Sequence, residues 1–345
     1  MKLCRQRRTQ EFISGKDYFG TNNVICSGSA GKNSSWGNIM KKAIYHGIRD
    51  VRVEEVPEPQ PGPGEVKVKI KYCGICGSDL HEYLHGPFPE SPFGHEACGT
   101  IVALGEGVEG YQIGERVCAI INGSYAEASV CSVDRLIKIP DNMEWKRAAV
   151  LEPLAGAAYA IDRGHVKAED TVFISGAGTV GLMLLLGLKA MGVRTVFMTD
   201  VLENRRKKAM ELGATLTWNP LAIKSPAKIK ELTQGQGVAV AIEAVGIEAT
   251  LKDCLASVRR RGTVIVQGIF TEKAMVHMLG FVTRETTMIG TNYMNPTLAM
   301  TWLKAGMISP ENIITDIIPL DKIVGGGFEV LAGKSETAVK ILVAP

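Results

Sequence analysis

The residues whose types and spacing carry the most chemistry are Cys76-Gly77-Ser78-Asp79-Leu80-His81 and, about nineteen residues further on, Gly94-His95-Glu96. A thiolate, an imidazole and a carboxylate are what Zn²⁺ takes when one coordination position stays free for water or substrate. Taken singly, each residue has a plainer reading: a buried cysteine is ordinarily core, and a glutamate beside a histidine is ordinarily surface. A second anchor lies about eighty residues later, at Ser175-Gly176-Ala177-Gly178-Thr179-Val180-Gly181. It follows the apolar run Thr171-Val172-Phe173-Ile174 and opens an apolar, helix-like stretch. Strand, glycine loop and helix in that order turn a bare GxGxxG into a dinucleotide fingerprint. A zinc-type site upstream of such a unit points to metal-assisted hydride transfer.

The elements that must position these residues are bounded by composition. At 345 residues the chain exceeds one ordinary core, so two domains are expected. A formal charge of +3 with Lys and Arg scattered gives no footprint for nucleic acid or a membrane surface. The longest apolar stretch, Val180 to Leu188, is broken by Gly181 and Gly187 and falls short of the ~20 residues of a membrane span. One CxxC pair, Cys73 and Cys76, also fits redox chemistry or half a zinc ribbon, but no second CxxC completes a ribbon. No secretory h-region is visible, so reduced thiols in a cytoplasm are the expected context.

Residues 1–39 differ from everything after them: basic at Arg5, Arg7 and Arg8, then Gly/Ser/Asn-rich, with no sustained period of 2 or 3.6. They read as a flexible extension without a fold, with a mitochondrial-type presequence as the alternative, and Met40 as a natural beginning. From Met40 short β runs are bounded by Pro and Gly: Val51–Val56, Val66–Tyr72, Gly99–Leu104 and Arg116–Ile121. From Thr171 to about Gly290 strands and helices alternate, with strands expected at Val172–Ser175, Thr195–Thr199, Ala239–Glu243, Thr263–Gly268 and Thr287–Gly290. That alternation builds a doubly wound parallel sheet, giving an α/β fold class overall. The tail Val339-Lys340-Ile341-Leu342-Val343 returns to β texture and is expected to rejoin the first module.

In the glycine loop, Gly176 makes the tight turn, Gly178 lets backbone amides approach a pyrophosphate, and Gly181 allows close helix packing; Thr179 and Val180 complete the loop. The diphosphate then rests on a helix N-terminus, where free N–H groups and the dipole favour an anion. The strand Thr195–Thr199 ends in Asp200, placed to accept the adenosine ribose hydroxyls and to repel a 2′-phosphate, so NAD is favoured over NADP. Arg205 and Arg206 would soften that repulsion if they faced it, but as helix residues they read as solvated surface. Val245, in Glu243-Ala244-Val245-Gly246, borders the nicotinamide ribose by topology.

Cys73-Gly-Ile-Cys76-Gly-Ser-Asp-Leu-His81, Gly94-His95-Glu96, Leu151-Glu152-Pro153-Leu154-Ala155 and the glycine loop, in that order, resemble the zinc-dependent medium-chain dehydrogenases. Through Cys76–Leu84 and the closing strand the chain is most similar to the sorbitol (polyol) and (R,R)-2,3-butanediol dehydrogenase branch. The resemblance covers Met40 to Pro345. It implies a GroES-like, mainly β catalytic domain over 40–157, completed by 292–345, and a Rossmann domain over 158–291. It further implies Cys76 and His95 as zinc ligands, with Glu96 and Glu152 as the carboxylates between which the direct ligand is undecided. Asp79 would be the carboxylate that orients the ligand histidine, Ser78 the hydroxyl that takes the substrate proton and His81 the imidazole that passes it on. Bound zinc lowers an alcohol's pKa as it lowers that of water, to about 7, and hydride then leaves to NAD. A homodimer or homotetramer is the implied assembly.

Tyr83, Leu84, Phe88 and Phe93, between the ligand segments, are candidates for the pocket wall, though core or surface is the plainer role of each; Lys340 resembles a position near the pyrophosphate but reads as a solvated terminal-strand lysine. The chain departs from the family between Val117 and Tyr125. Only Cys118 to Ser124 intervene where most relatives carry several tens of residues, often with four cysteines for a structural zinc. Cys118 and Cys131 supply no such cage, so one zinc per chain is expected. Two competing readings are a zinc-free quinone or enoyl reductase of the same architecture and a nucleotide-binding protein with a crippled catalytic module. The ligand types and Asp200 argue against the first, and retention of all the ligand types argues against the second.

Overall fold

The computed structural model describes residues 38–86, 93–333 and 337–345. Of the extension expected over 1–39, only Asn38 and Ile39 fall among them, and Phe88 lies outside. The chain opens with an antiparallel hairpin, Ile39–Gly47 against Asp50–Pro57. A seven-stranded sheet follows, in the order Ile314–Pro319, Lys340–Ala344, Glu65–Gly74, Glu96–Leu104, Arg116–Ile120 and Leu136–Lys138, with Ala128–Ser132 also pairing Glu65–Gly74.

The register of this sheet decides where the chemistry sits. Gly74 pairs with Glu96 on one side and with Leu342 on the other. Three strands therefore converge at one point of the sheet, where Cys76, His95, Glu96 and Lys340 all enter or leave it. The tail does rejoin this sheet, antiparallel to Glu65–Gly74 and parallel to Ile314–Pro319.

The second sheet has six parallel strands in the order Leu216–Trp218, Thr195–Thr199, Thr171–Ser175, Val238–Glu243, Val258–Val266 and Thr287–Gly290. Numbered along the chain this is 3-2-1-4-5-6, the dinucleotide-binding order, with its crevice where the order reverses between Thr171–Ser175 and Val238–Glu243. Every residue of Val238–Glu243 is buried, as expected for a central strand covered on both faces. The fold is thus α/β, a GroES-like mainly β part and a Rossmann-like parallel sheet.

Strands at Ile39–Gly47, Ala128–Ser132, Leu136–Lys138, Leu216–Trp218 and Ile314–Pro319 are additional to those expected from the sequence. Two of them have three residues, too few for a period of 2 to register.

The helix Leu151–Arg163 packs on the helices Thr179–Ala190 and Pro296–Lys304 and touches the strands Glu96–Leu104 and Arg116–Ile120. Leu151, Leu154, Ala155, Ala158 and Ile161 are fully buried in a core that takes in Cys98 and Cys118 of one sheet and Val172 and Ile174 of the other. One helix therefore carries Glu152 close to Glu96, His95 and Lys340 and packs against the helix that opens at the glycine loop.

Candidate metal and cofactor site

Cys76 is the N-cap of the helix Gly77–His85, in extended conformation, and its backbone N–H donates to Asp79 Oδ2 at 3.0 Å. This places the thiol at the N-terminal end of the helix, beside Asp79. His95 and Glu96 open the neighbouring strand. One donor atom from each of Cys76, His95 and Glu96 lies within 4.8 Å of the others, and among the described residues this is the one such group of three or more His, Cys, Asp or Glu side chains.

Asp79 is fully buried and held from several sides: Gly94 N–H donates to Oδ1 at 2.9 Å, Tyr125 OH donates to Oδ2 at 2.6 Å, and His95 Nδ1 lies 3.6 Å from Oδ1. Burial alone would raise the Asp79 carboxyl, but His95, Tyr125 and the Gly94 amide hold it below its ordinary range. Burial would lower the His95 imidazole, yet Cys76 and Asp79 beside it push it well above its ordinary range. The pocket's potential is therefore negative. Sulfur, nitrogen and oxygen donors converging in a pocket that favours positive charge fit a Zn²⁺ ion.

Tyr125 follows directly on the short connection after Arg116–Ile120. Gly123 N–H donates to Phe93 O and Ser124 N–H to Gly94 O, so the turn folds back onto the segment that carries His95. In the sequence this connection reads only as a loss. In the structure it delivers the tyrosine hydroxyl that braces Asp79.

Lys340 corrects the expectation of a solvated terminal lysine. It is 1 % exposed, donates from Nζ to Ile75 O at 2.8 Å and is ion-paired with Glu96 Oε2. Burial lowers its pKa, but Glu96 and then Cys76 outweigh this and raise it above the ordinary value. The close passage explains Gly74: a Cβ there would lie 2.5 Å from Glu96 Oε2 and 2.8 Å from Lys340 Cε. Glu152 faces the same cluster from its own helix. Burial, then Glu96, pushes its carboxyl up to about 7, against the opposing pull of His95 and Lys340.

Ser78 and His81 lie three residues apart on the helix Gly77–His85, hence on one flank of it. Burial and the nearby His85 lower the His81 pKa, so the ring is neutral at physiological pH and able to accept a proton. Tyr83 and Phe93 belong to the core: Tyr83 stacks on Phe328 and donates to Glu329, and Phe93 stacks on Phe328 and meets Tyr125 edge-on. Leu84 packs partly buried against the same core.

At the cofactor crevice, Gly176 has φ +106°, open to glycine, and a Cβ on Gly181 would lie 2.0 Å from Gly176 O, so the loop closes onto its helix as the fingerprint requires. Gly178 is the N-cap of Thr179–Ala190. Asp200 is mostly buried, its Oδ2 accepting from Ala177 N–H and its Oδ1 from Leu202 N–H, both at 2.9 Å. Each oxygen keeps acceptor capacity for a ribose hydroxyl. The surface reading of the two arginines is corrected: Arg205 Nη1 lies 3.9 Å from Asp200 Oδ2, and Arg206 donates to the carbonyls of Asp200 and Val201. Long side chains in a first helical turn fold back onto the preceding loop. Val245 packs over the glycine loop, its Cγ2 2.7 Å from the position of a Cβ on Gly176. Thr179 Oγ1 donates to Val339 O at 3.3 Å, so the phosphate loop is tied to the residue next to Lys340 and through it to Glu96.

Residues 62–141 match the alcohol dehydrogenase GroES-like domain and residues 179–305 the zinc-binding dehydrogenase domain. The chain is 34 % identical to (R,R)-butanediol dehydrogenase of Bacillus subtilis, over 89 % of this chain and 100 % of that protein. It belongs to the zinc-dependent medium-chain dehydrogenases. Within this family it falls in the polyol and butanediol branch, being also 29 % identical to sorbitol dehydrogenase of Bacillus subtilis over 89 % of this chain and 97 % of that one. The crystal structure of the Bacillus subtilis 2R,3R-butanediol dehydrogenase superposes with a TM-score of 0.81 at 33 % identity, covering 89 % of this chain and 99 % of that one. An Escherichia coli CFT073 short chain alcohol dehydrogenase complexed with cofactor NADH does so with a TM-score of 0.81 at 26 % identity, covering 90 % and 100 %.

The buried pair gives this dehydrogenase a measurable vulnerability. Lys340→Met leaves Glu96 and its anionic neighbours without their fixed counter-charge and is expected to cost about 3–5 kcal/mol of unfolding free energy. Urea denaturation of chelator-treated protein measures it, and an unchanged midpoint contradicts the assigned pairing.

Proposed function

We propose that this dehydrogenase oxidises a secondary alcohol, vicinal diol or polyol to the ketone with hydride transfer to NAD, and catalyses the reverse reduction, with a single zinc per chain. The observation that carries the reading is the convergence of Cys76, His95 and Glu96 within 4.8 Å, coupled through Lys340 and Val339 to Thr179 of the glycine loop. Cys76 and His95 would hold the ion with Glu96, and Glu152 would complete the site directly or through a water. When bound, zinc supplies Lewis acidity, which lowers the pKa of an alcohol hydroxyl and polarises a carbonyl.

The protein's own groups do the rest. Asp79 fixes the His95 ring, and Tyr125 fixes Asp79. Ser78 takes the alcohol proton, and His81, neutral and half-buried, carries it toward solvent. Gly176, Gly178 and Gly181, with Thr179 and Val180, seat the pyrophosphate at the N-terminus of Thr179–Ala190, Asp200 takes the adenosine ribose, and Val245 borders the nicotinamide end. Domain limits of 40–157 with 292–345, and 158–291, follow from this division of labour; a homodimeric or homotetrameric assembly is proposed on the family resemblance alone. Among the described residues no helix is long and apolar enough to cross a membrane, and the six described cysteines form no disulfide, which agrees with a reducing cytoplasm.

Replacing Cys76 with Ala is expected to abolish NAD-linked oxidation of 2,3-butanediol and sorbitol while leaving NAD affinity, read by fluorescence titration, close to wild type. Retained turnover would remove the metal site from the mechanism.

Cofactor choice rests on Asp200, with Arg205 at 3.9 Å reducing its repulsion of a 2′-phosphate. Asp200→Ala is expected to weaken NAD and narrow the preference over NADP, because ribose hydrogen bonds and repulsion are lost together. An unmodified enzyme that turns over faster with NADP would reverse the assignment.

For the proton route, Ser78→Ala should lower kcat by roughly 10²-fold, the typical loss when general acid–base assistance is removed. Normal turnover in this variant would move the proton path to a water held by Glu152.

A further inference from the structure

The last turns of the helix Gly77–His85 spell His81-Glu82-Tyr83-Leu84-His85, and the dehydrogenase reading gives His85 no role beyond lowering the His81 pKa. Histidines four apart on a helix share a face. Here their ring centroids are 4.7 Å apart and the planes are inclined by 47°. His81 is half-buried and His85 exposed, so the pair lies where a solution ion reaches it. Neither belongs to the Cys76, His95 and Glu96 group.

The same five letters mark metallopeptidases, in which the glutamate between the histidines faces the metal as general base. That reading does not transfer. Glu82 is 6 % exposed, and its charge acts on the Tyr45 hydroxyl, on the core side of the helix. What remains is a two-imidazole chelate with its other positions left to water. Borderline ions such as Zn²⁺ and Ni²⁺ prefer imidazole donors, whereas Mg²⁺ and Ca²⁺ prefer oxygen.

We propose that His81 and His85 form a second, weaker site for a divalent transition-metal ion, and that its occupancy restrains turnover. The second half rests on the relay role given to His81 above: a ring nitrogen that holds a metal has no lone pair left for a proton. The resident zinc site is unaffected, because it shares no ligand with the pair.

Equilibrium dialysis against Zn²⁺ with elemental analysis tests the site, comparing the zinc-replete enzyme with its His85→Gln variant. His85 is exposed and contacts no reacting group, and at about pH 8 His81 is neutral with or without it, so this variant should keep wild-type turnover there without added metal. The wild type is expected to take up a second equivalent that His85→Gln loses, both retaining the first. No second equivalent in the wild type, or equal uptake in the variant, overturns the site. Turnover measured across the same Zn²⁺ range separates the two halves. It should fall in the wild type as the second equivalent binds and stay level in His85→Gln. Binding without inhibition would overturn the restraint and with it the relay role of His81, leaving the chelate in place; absence of binding would overturn the chelate and leave the relay untouched.

Discussion

Much of this architecture answers one constraint: a thiol and several carboxyl groups are brought out of water at a single point. Cys76, Asp79, Glu96 and Glu152 crowd into one pocket, and removing charges from water costs several kcal/mol each unless they are paired. The chain supplies two balances. Lys340 is a permanent one, locked on Glu96 and the Ile75 carbonyl. His95 is an adjustable one, drawn toward the charged form by Cys76 and Asp79 against the effect of burial. Strand register makes this possible, because Gly74 pairs with both Glu96 and Leu342 and has no side chain to obstruct the lysine.

The same arrangement couples the metal-type cluster to the cofactor crevice. The tail strand brings Lys340 to Glu96, and Val339 just before it accepts from Thr179 of the phosphate loop. The helix Leu151–Arg163 makes the second connection, with Glu152 in its first turn and its apolar face in a core shared by both sheets. Two short physical links, one a hydrogen bond and one a packed helix, thus tie the metal-type cluster to the glycine loop. The shortened connection before Tyr125 leaves the cluster intact and supplies the hydroxyl that holds Asp79.

Local patterns make the dinucleotide unit legible in the sequence, because each of its parts is contiguous: an apolar run, three spaced glycines, a helix, an acid. The strands Thr195–Thr199 and Thr287–Gly290 are placed to the residue for the same reason. Cys76, His95 and Glu96 are legible through ligand type and spacing. Lys340 is not, since its partner lies 244 positions away and only the register of three strands brings them together. A signal is present all the same: a lysine set in an otherwise apolar strand needs a buried counter-charge. Tyr125 escapes notice because a tyrosine after a turn says nothing about its hydroxyl's partner. The two arginines after Asp200 mislead because helical position fixes where a side chain starts and not where a long one ends.

The proposed chemistry depends on the donor set that the converging strands assemble, and X-ray absorption at the zinc edge of the purified dehydrogenase tests it most directly. One sulfur at about 2.3 Å with the remaining donors nitrogen or oxygen at about 2.0–2.2 Å is the result predicted for Cys76, His95 and a glutamate. A shell of several sulfurs, or protein that holds no zinc while oxidising diols at full rate, would contradict it.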